Sequence, residues 1–399
     1  MKGKHLKGIS ANILLLGIVS FLNDFSSEMI MPILPMFITA LGGTGLAVGL
    51  IGGLRDSISS ILKVFCGYWS DKKGKRKSFV FSGYLVSGIF KLLLSFSKIW
   101  QNVLILSSLE RVGKGVRTAP RDAIIADSMP EERGRGFGIH RAFDTAGAIF
   151  GASAAFILFW FIGLDFKSII FLAALLAGLS LIPVSFVKEE NIEKKDITFK
   201  LSIGILPDSL KLFILISGIF ALSNFSYMFF ILKAGGLFAG RLSVGAVILL
   251  YILFNIFYAL FSVPFGKLSD KVGRETVIVS GYLFFSAVCF GFVFFRSVTA
   301  VIILFALYGL VQAMIDANQR AFVSDLSPEG IRATGLGVFH TVIGLAALPA
   351  SLIAGLLWQK ISPSSVFIYG GVMSIISVVM FLVFSRYFKN SRSFRLKQM

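Results

Sequence analysis

Apolar runs of twenty or more residues, separated by short polar links, recur along the whole 399-residue chain. About 20 such residues cross the hydrocarbon layer of a bilayer as a helix. Lipid offers no partner for free backbone groups, so each run is expected to close its hydrogen bonds within itself. Transmembrane strands would instead alternate over about ten residues, and that alternation is absent. Only 15% of the residues are charged, against about 25% in a soluble domain. The expected fold class is therefore an all-α membrane protein.

Twelve transmembrane helices are expected. The first six lie at about 11–39, 46–70, 77–97, 101–127, 136–162 and 166–187, and the second six at about 209–233, 243–269, 275–296, 299–326, 332–358 and 363–388. They divide the chain into an N-terminal six-helix bundle over 1–187, a charged linker over 188–208 and a C-terminal six-helix bundle over 209–399. The formal net charge of +18 would point to nucleic acid in a soluble domain. Here the basic residues flank apolar runs, so they read as topology signals and as contacts to anionic lipid, and no nucleic-acid partner is expected. Lys2, Lys4, Lys7, Lys72, Lys73, Lys75, Arg76, Lys77, Arg133, Arg135, Lys188, Lys194, Lys195, Lys200, Lys267, Lys271, Arg274 and the Arg386–Lys397 tail all fall on one side. The positive-inside rule makes that side cytoplasmic, with both termini and the linker. The expected location is the cytoplasmic membrane, and the expected state a monomer. The basic start leads into an apolar run too long for a signal peptide, so no cleaved leader is expected.

The two halves repeat one another. Gly67 to Lys77, G-Y-W-S-D-K-K-G-K-R-K, returns as Gly266 to Thr276, G-K-L-S-D-K-V-G-R-E-T. Ser82-Gly83-Tyr84 returns as Ser280-Gly281-Tyr282, and Leu22, Phe25 and Ser26 return as Leu222, Phe225 and Ser226. A repeat of this length implies two structurally equivalent halves. With six plus six helices, a charged mid-linker and G-x-x-x-D-x-x-G-x-R-K after the second span, the chain resembles the major facilitator superfamily. Pro32-Ile33-Leu34-Pro35, and Arg111 with Gly115, resemble two further motifs of its drug/proton antiporter branch. The fifth span, with Gly147-Ala148-Ile149-Phe150-Gly151, lacks that branch's Gly-Pro element. The resemblance implies two pseudo-symmetric bundles and transport by alternating access. It also implies that Asp71, Arg76 and Asp127 form a cytoplasmic latch.

From the residues themselves, Gly67 and Gly74 permit close packing and a tight turn. Asp71 can sit at a helix N-terminus or pair with Arg76. Gly266, Asp270, Gly273 and Arg274 are the second copy of this gate. The same loops also serve as a positive-inside anchor.

Charge inside the apolar runs is the sharper signal, because a charged side chain at mid-bilayer costs about 2.5–3.5 kcal/mol on insertion scales and so faces a cavity or a partner. Asp24 and Glu28 share one face of the first span. Two carboxylates that close do not both ionise at low cost, which makes them a candidate proton site. The alternative is a structural salt bridge to Arg111, Arg117 or Lys63. By the repeat their counterparts are Asn224 and Met228, so packing alone does not demand the acids. The fourth span carries Glu110, Arg111, Lys114, Arg117 and Arg121, the second Arg55 and Lys63, and the fifth His140, Arg141 and Asp144. The second half offers Lys233, Asp316, Arg320 and His340 with neutral Gln312 and Asn318, and Asn224 as the counterpart of Asp24. Arg55, Lys63, Arg111, Lys114, Arg117, Arg141, Asp144, Asn224, Asp316 and Asn318 form the expected substrate and charge network. Lys91 and Lys211 read as snorkelling residues.

No phosphate-binding loop, zinc motif or nucleophile elbow is present, and Cys66 and Cys289 form no metal or disulfide pattern. No catalytic residue, metal or cofactor is expected. The expected function is a proton-coupled transporter exporting a small organic solute by antiport. A proton-coupled organic-anion transporter, motivated by the dense Arg and Lys set, and a non-transporting membrane sensor are the alternatives.

Overall fold

A computed structural model describes residues 10–130, 133–188, 206–327 and 332–396, without side chains at 133–134, 332–333, 384 and 386–396. Lys2, Lys4 and Lys7, most of the 188–208 linker, the Arg133 side chain and the basic side chains of the Arg386–Lys397 tail lie outside the described residues.

Among those residues the chain is helical and has no strand. In the first half α1 spans Ala11–Ile30, α2 Leu34–Ala40, α3 Gly45–Lys73, α4 Arg76–Ser95, α5 Trp100–Ser128, α6 Arg133–Ile157, α7 Phe166–Leu179 and α8 Leu181–Phe186, with a π-helical turn at Leu158–Ile162. In the second half α9 spans Asp208–Ser223, α10 Met228–Gly235, α11 Gly240–Val272, α12 Arg274–Phe294, α13 Val298–Leu326, α14 Arg332–Lys360 and α15 Pro363–Leu396. Eleven stretches are long and apolar enough to cross a membrane. Of the twelve expected spans, the one outside that set is α5. Its 29 residues are ample, but its charges lower its hydropathy.

Three expected spans are broken, one of them at Ser180 between α7 and α8. Met31–Ile33 separates α1 from α2, where Pro32 and Pro35 remove backbone donors and so interrupt the helical hydrogen bonds, although Met31 and Ile33 keep right-handed helical dihedrals. Asn224–Tyr227 separates α9 from α10.

The residues fall into two compact units, Met1–Phe199 with Tyr227–Ile252, and Lys200–Ser226 with Leu253–Met399, so far as these are described. This division follows packing; the sequence repeat divides the chain at the linker instead.

In the first unit the helices approach closely wherever glycine removes a side chain. A Cβ on Gly147 would lie 2.5 Å from the Phe21 carbonyl oxygen, and one on Gly151 2.3 Å from that of Phe25, so α6 lies against the α1 backbone. A Cβ on Gly113 would lie 2.4 Å from the Gly83 carbonyl oxygen, which fixes α5 against α4. Lipid is as apolar as Leu, so such packing and interhelical hydrogen bonds, rather than a hydrophobic drive, hold these helices together. The apolar core gathers Met29, Ile33, Phe37, Val48, Ile51, Val103, Ile169, Met228 and Ile248. The second unit is built on aromatic contacts: Phe220 stacks on Tyr282 at 3.8 Å between ring centroids, and Phe213 meets Phe322 edge-on at 4.7 Å.

Candidate functional site

The charged residues of α5 converge with those of its neighbours inside the first unit. Glu110 lies 3.2 Å from Arg111 Nε and 3.6 Å from Arg55 of α3, and all three residues are at most 5% exposed. Arg117 donates to Ser87 Oγ at 2.6 Å and lies 4.4 Å from the centre of the Tyr84 ring. Lys91 of α4 does not snorkel. It is 1% exposed and donates to Ser26 and Ser27 of α1 at 2.9 Å each, because the turns of α4 place it against α1 rather than near a membrane surface. Lys211 is half-buried and pairs with the exposed Asp208 at 3.0 Å. Lys63 is half-buried and Lys114 exposed.

Asp24 and Glu28 stand on α1, both half-buried. Among the described residues neither has a cationic partner within the 4.0 Å of an ion pair. Asp24 accepts from the Asn23 amide at 3.3 Å, and Glu28 accepts from the hydroxyl of Tyr251 on α11 at 2.7 Å. The expected alternative of a salt bridge to Arg111, Arg117 or Lys63 is not formed. One turn before Asp24, Ser20 donates to Asp144 and accepts from Arg121 at 3.3 Å. Asp144 also lies 3.6 Å from His140 Nδ1 and 4.0 Å from the exposed Arg141.

Where α1 breaks, the Met31 sulfur receives three polar neighbours: Arg111 Nη2 at 3.2 Å, Tyr227 Oη at 3.2 Å and Arg55 Nη2 at 3.5 Å. The Tyr227 hydroxyl also lies 2.9 Å from the Met31 carbonyl oxygen, and its ring is 5.7 Å from that of Tyr251. Sequence reasoning missed Met31, Tyr227 and Tyr251. A methionine and two tyrosines in apolar runs carry no charge to mark them.

The second unit contains a cavity of about 150 Å³ lined by Asn224, Gln312, Asp316, Gln319, Arg320 and His340 with an aromatic and aliphatic wall. Asp316 pairs with Arg320 at 2.5 Å and accepts from Tyr258 at 2.7 Å. Asn318 lies outside this lining. It is 1% exposed and returns its amide to the Met314 carbonyl of its own helix at 2.8 Å.

The repeated loop forms the same charge cluster twice. Arg76 binds Asp71 at 2.7 Å and also Asp127; Arg274 binds Asp270 at 3.2 Å and also Asp325. Gly74 ends α3 at φ +63° and Gly273 precedes α12 at φ +92°, conformations that glycine adopts without steric cost. The copies differ by one residue, since α12 begins immediately after its glycine and the arginine moves up with it. A Cβ on Gly67 would lie 3.0 Å from that of Ala119, whereas one on Gly266 would meet nothing within 4 Å.

Eleven stretches able to span a membrane, buried charge, a polar cavity and a twice-repeated charged loop mark a polytopic membrane protein with a polar interior. The model of the Major Facilitator Superfamily matches residues 16–240 and 212–397, and the chain belongs to that family of transporters. It is 57% identical over 378 residues to an uncharacterized MFS-type transporter of Methanocaldococcus jannaschii, covering 94% of this chain and 95% of that protein. It is 25% identical over 299 residues to the multidrug resistance protein MdtG of Escherichia coli, covering 68% and 69%. Among solved structures it is similar to a mutant of the nucleoside transporter NupG, with TM-score 0.81, 13% identity and coverage of 94% and 99%. The family is not enzymatic.

Proposed function

We propose that this integral membrane transporter exports a small organic solute by proton antiport, with Asp24 and Glu28 bearing the coupled proton. The observation that carries the reading is the contrast within one unit: buried Glu110 is flanked by Arg55 and Arg111, while Asp24 and Glu28 have no cation within ion-pair distance. A carboxylate in a membrane interior must be paired or neutralised, and an unpaired one is free to take a proton. The Tyr251 bond to Glu28 lets that proton alter a contact between α1 and α11. A coupled ion drives transport by binding one set of states better than the other.

The remaining features fit the same cycle. The likeness to MdtG supports export. The cavity of Asn224, Gln312, Asp316 and Arg320 offers hydrogen bonds to a polar solute. The Arg76 and Arg274 clusters, with Gly67, Gly74, Gly266 and Gly273, act as cytoplasmic gates, both termini face the cytoplasm, and anionic headgroups meet the basic loops. The protein works as a monomer in the cytoplasmic membrane, with the six-plus-six repeat as its moving parts. A second reading, proton-coupled transport of an organic anion, is favoured by the excess of buried cations around Glu110.

The test is proton-driven flux in proteoliposomes bearing Asp24→Asn with Glu28→Gln. Folding is retained and pH-driven flux is lost if these residues carry the proton; unchanged flux removes them from that role.

A further inference from the structure

We infer that Arg55, Arg111 and Tyr227 form an anion-binding site, that the Met31 thioether occupies it in the present conformation, and that the transported solute carries a carboxylate or phosphate group that takes the sulfur's place. The inference rests on the transporter reading and names its substrate class.

The contacts of Met31 are mismatched in strength. Two guanidinium groups lie 3.2 and 3.5 Å from one sulfur, which is a weak acceptor, while the Tyr227 hydroxyl beside them has the Met31 carbonyl oxygen at 2.9 Å. Guanidinium forks suit the paired oxygens of carboxylate and phosphate. Arg55 and Arg111 are each 5% exposed, so bulk water does not reach them.

The local charge is also unbalanced. Glu110 is the single carboxylate within ion-pair distance of Arg55 or Arg111 among the described residues. It lies 3.2 Å from Arg111 Nε without hydrogen-bond geometry, and that buried Nε has no acceptor. Lys91 and Arg117 give their hydrogen bonds to serine hydroxyls, and Asp24, Glu28 and Asp56 act on this cluster only from beyond ion-pair distance. An arriving anion would give the guanidinium groups a direct partner.

The space fits a plug. The adjoining void, lined by Ser27, Arg55, Lys91 and Glu110, holds about 10 Å³, on the order of one water. Met31, Arg111 and Tyr227 are not part of its lining, so this void gives a polyatomic anion no room at the sulfur, and the anion would take that place only as the methionine moves. Met31 is the movable member: it sits in the turn between α1 and α2, with an unbranched side chain that repacks easily.

The test measures melting of the purified full-length protein in detergent, titrated with sodium benzoate or with inorganic phosphate, against choline chloride at matched ionic strength. At least one anion should raise the melting temperature and choline chloride should not, since a ligand of the folded state stabilises it. Benzoate alone identifies a carboxylate site and phosphate alone a phosphate site. Arg111→Gln and Arg55→Gln should each weaken the response by roughly 10-fold or more in apparent Kd. Met31→Leu keeps the volume, so it should lower the melting temperature without ligand and tighten anion binding. No response to either anion, an equal response to choline chloride, or an anion response unchanged in Met31→Leu overturns the inference. Proteoliposome flux separates the two readings: anion stabilisation without flux of any solute keeps the site and removes the transport reading. Proton-driven flux of an organic cation without anion stabilisation does the reverse.

Discussion

The Tyr251 hydroxyl donates to Glu28 Oε2 at 2.7 Å, joining α1 to α11 at the one carboxylate on α1 with an aromatic donor. Tyr251 is 5% exposed, so either partner left alone loses a bond that water does not readily replace. A neutral hydrogen bond contributes about 0.5–1.5 kcal/mol, an orphaned buried partner costs about 1–3 kcal/mol, and replacing both partners with apolar groups costs much less than orphaning one. Tyr251→Phe and Glu28→Leu are therefore expected to be non-additive, the double variant being more stable than the sum of the two by about 1 kcal/mol or more. Glu28→Gln, which keeps an acceptor oxygen, should melt close to the wild type. A thermal-melt double-mutant cycle in detergent measures the coupling, and zero coupling would disconnect the two side chains.

The paired loop clusters give a second expectation. Arg76 and Arg274 each bind two carboxylates, and the two clusters have no residue in common. Asp127 and Asp325 are about half exposed, at 49% and 53%, so solvent screens these pairs and each cluster contributes about 0.5–1 kcal/mol. Arg76→Gln and Arg274→Gln should lower stability by that amount each, and the losses should add. Both losses should shrink in about 1 M salt, where the Debye length falls to about 3 Å. Melting at low and high NaCl checks this; a loss that ignores salt would mean packing rather than charge. Arg76→Lys should behave like Arg76→Gln, since an ammonium cannot fork to Asp71 and Asp127 together.

How far the sequence foretells this structure depends on whether a signal is local. The loop copies were legible because Gly, Asp and Arg at short spacing act within one turn and recur. The helical class was legible because hydrophobic runs leave the backbone one solution in lipid. The one-residue shift of Arg274 against Arg76 stands in the letters, but that α12 starts one residue earlier along with it does not. Lys91 was misread for a related reason. A lysine in an apolar run can reach a membrane surface or a polar neighbour, and only the packing of α4 on α1 chooses Ser26 and Ser27. The Tyr227–Met31 contact joins residues 196 positions apart, one of them an ordinary hydrophobe, and no single-chain pattern marks such a meeting.

The junction of α6 and α11 carries the last prediction. The π-helical turn Leu158–Ile162 ends at Gly163, with φ +83°, and its widened geometry sends the Leu164 N–H back to the Leu158 carbonyl at 3.0 Å. Arg241, near the start of α11, donates to the Phe159 and Trp160 carbonyls at 2.7 Å each, with its guanidinium 5.6 and 5.7 Å from the two rings. Arg241 is exposed, so water would take up the released carbonyls and global stability should fall by only about 1 kcal/mol, the scale of an exposed cation–π contact with modest hydrogen bonds. The larger effect should be local. Arg241→Gln frees the first turn of α11 from the end of α6, and amide exchange should rise at 158–164 and 240–245 while the Arg76 loop keeps its protection. Arg241→Lys should recover part of the protection, because a single ammonium can reach one carbonyl but lacks the planar group that covers both rings. Hydrogen exchange read by mass spectrometry distinguishes these outcomes, and equal protection in Arg241→Gln and wild type would mean that the clasp does not hold the two helix ends together.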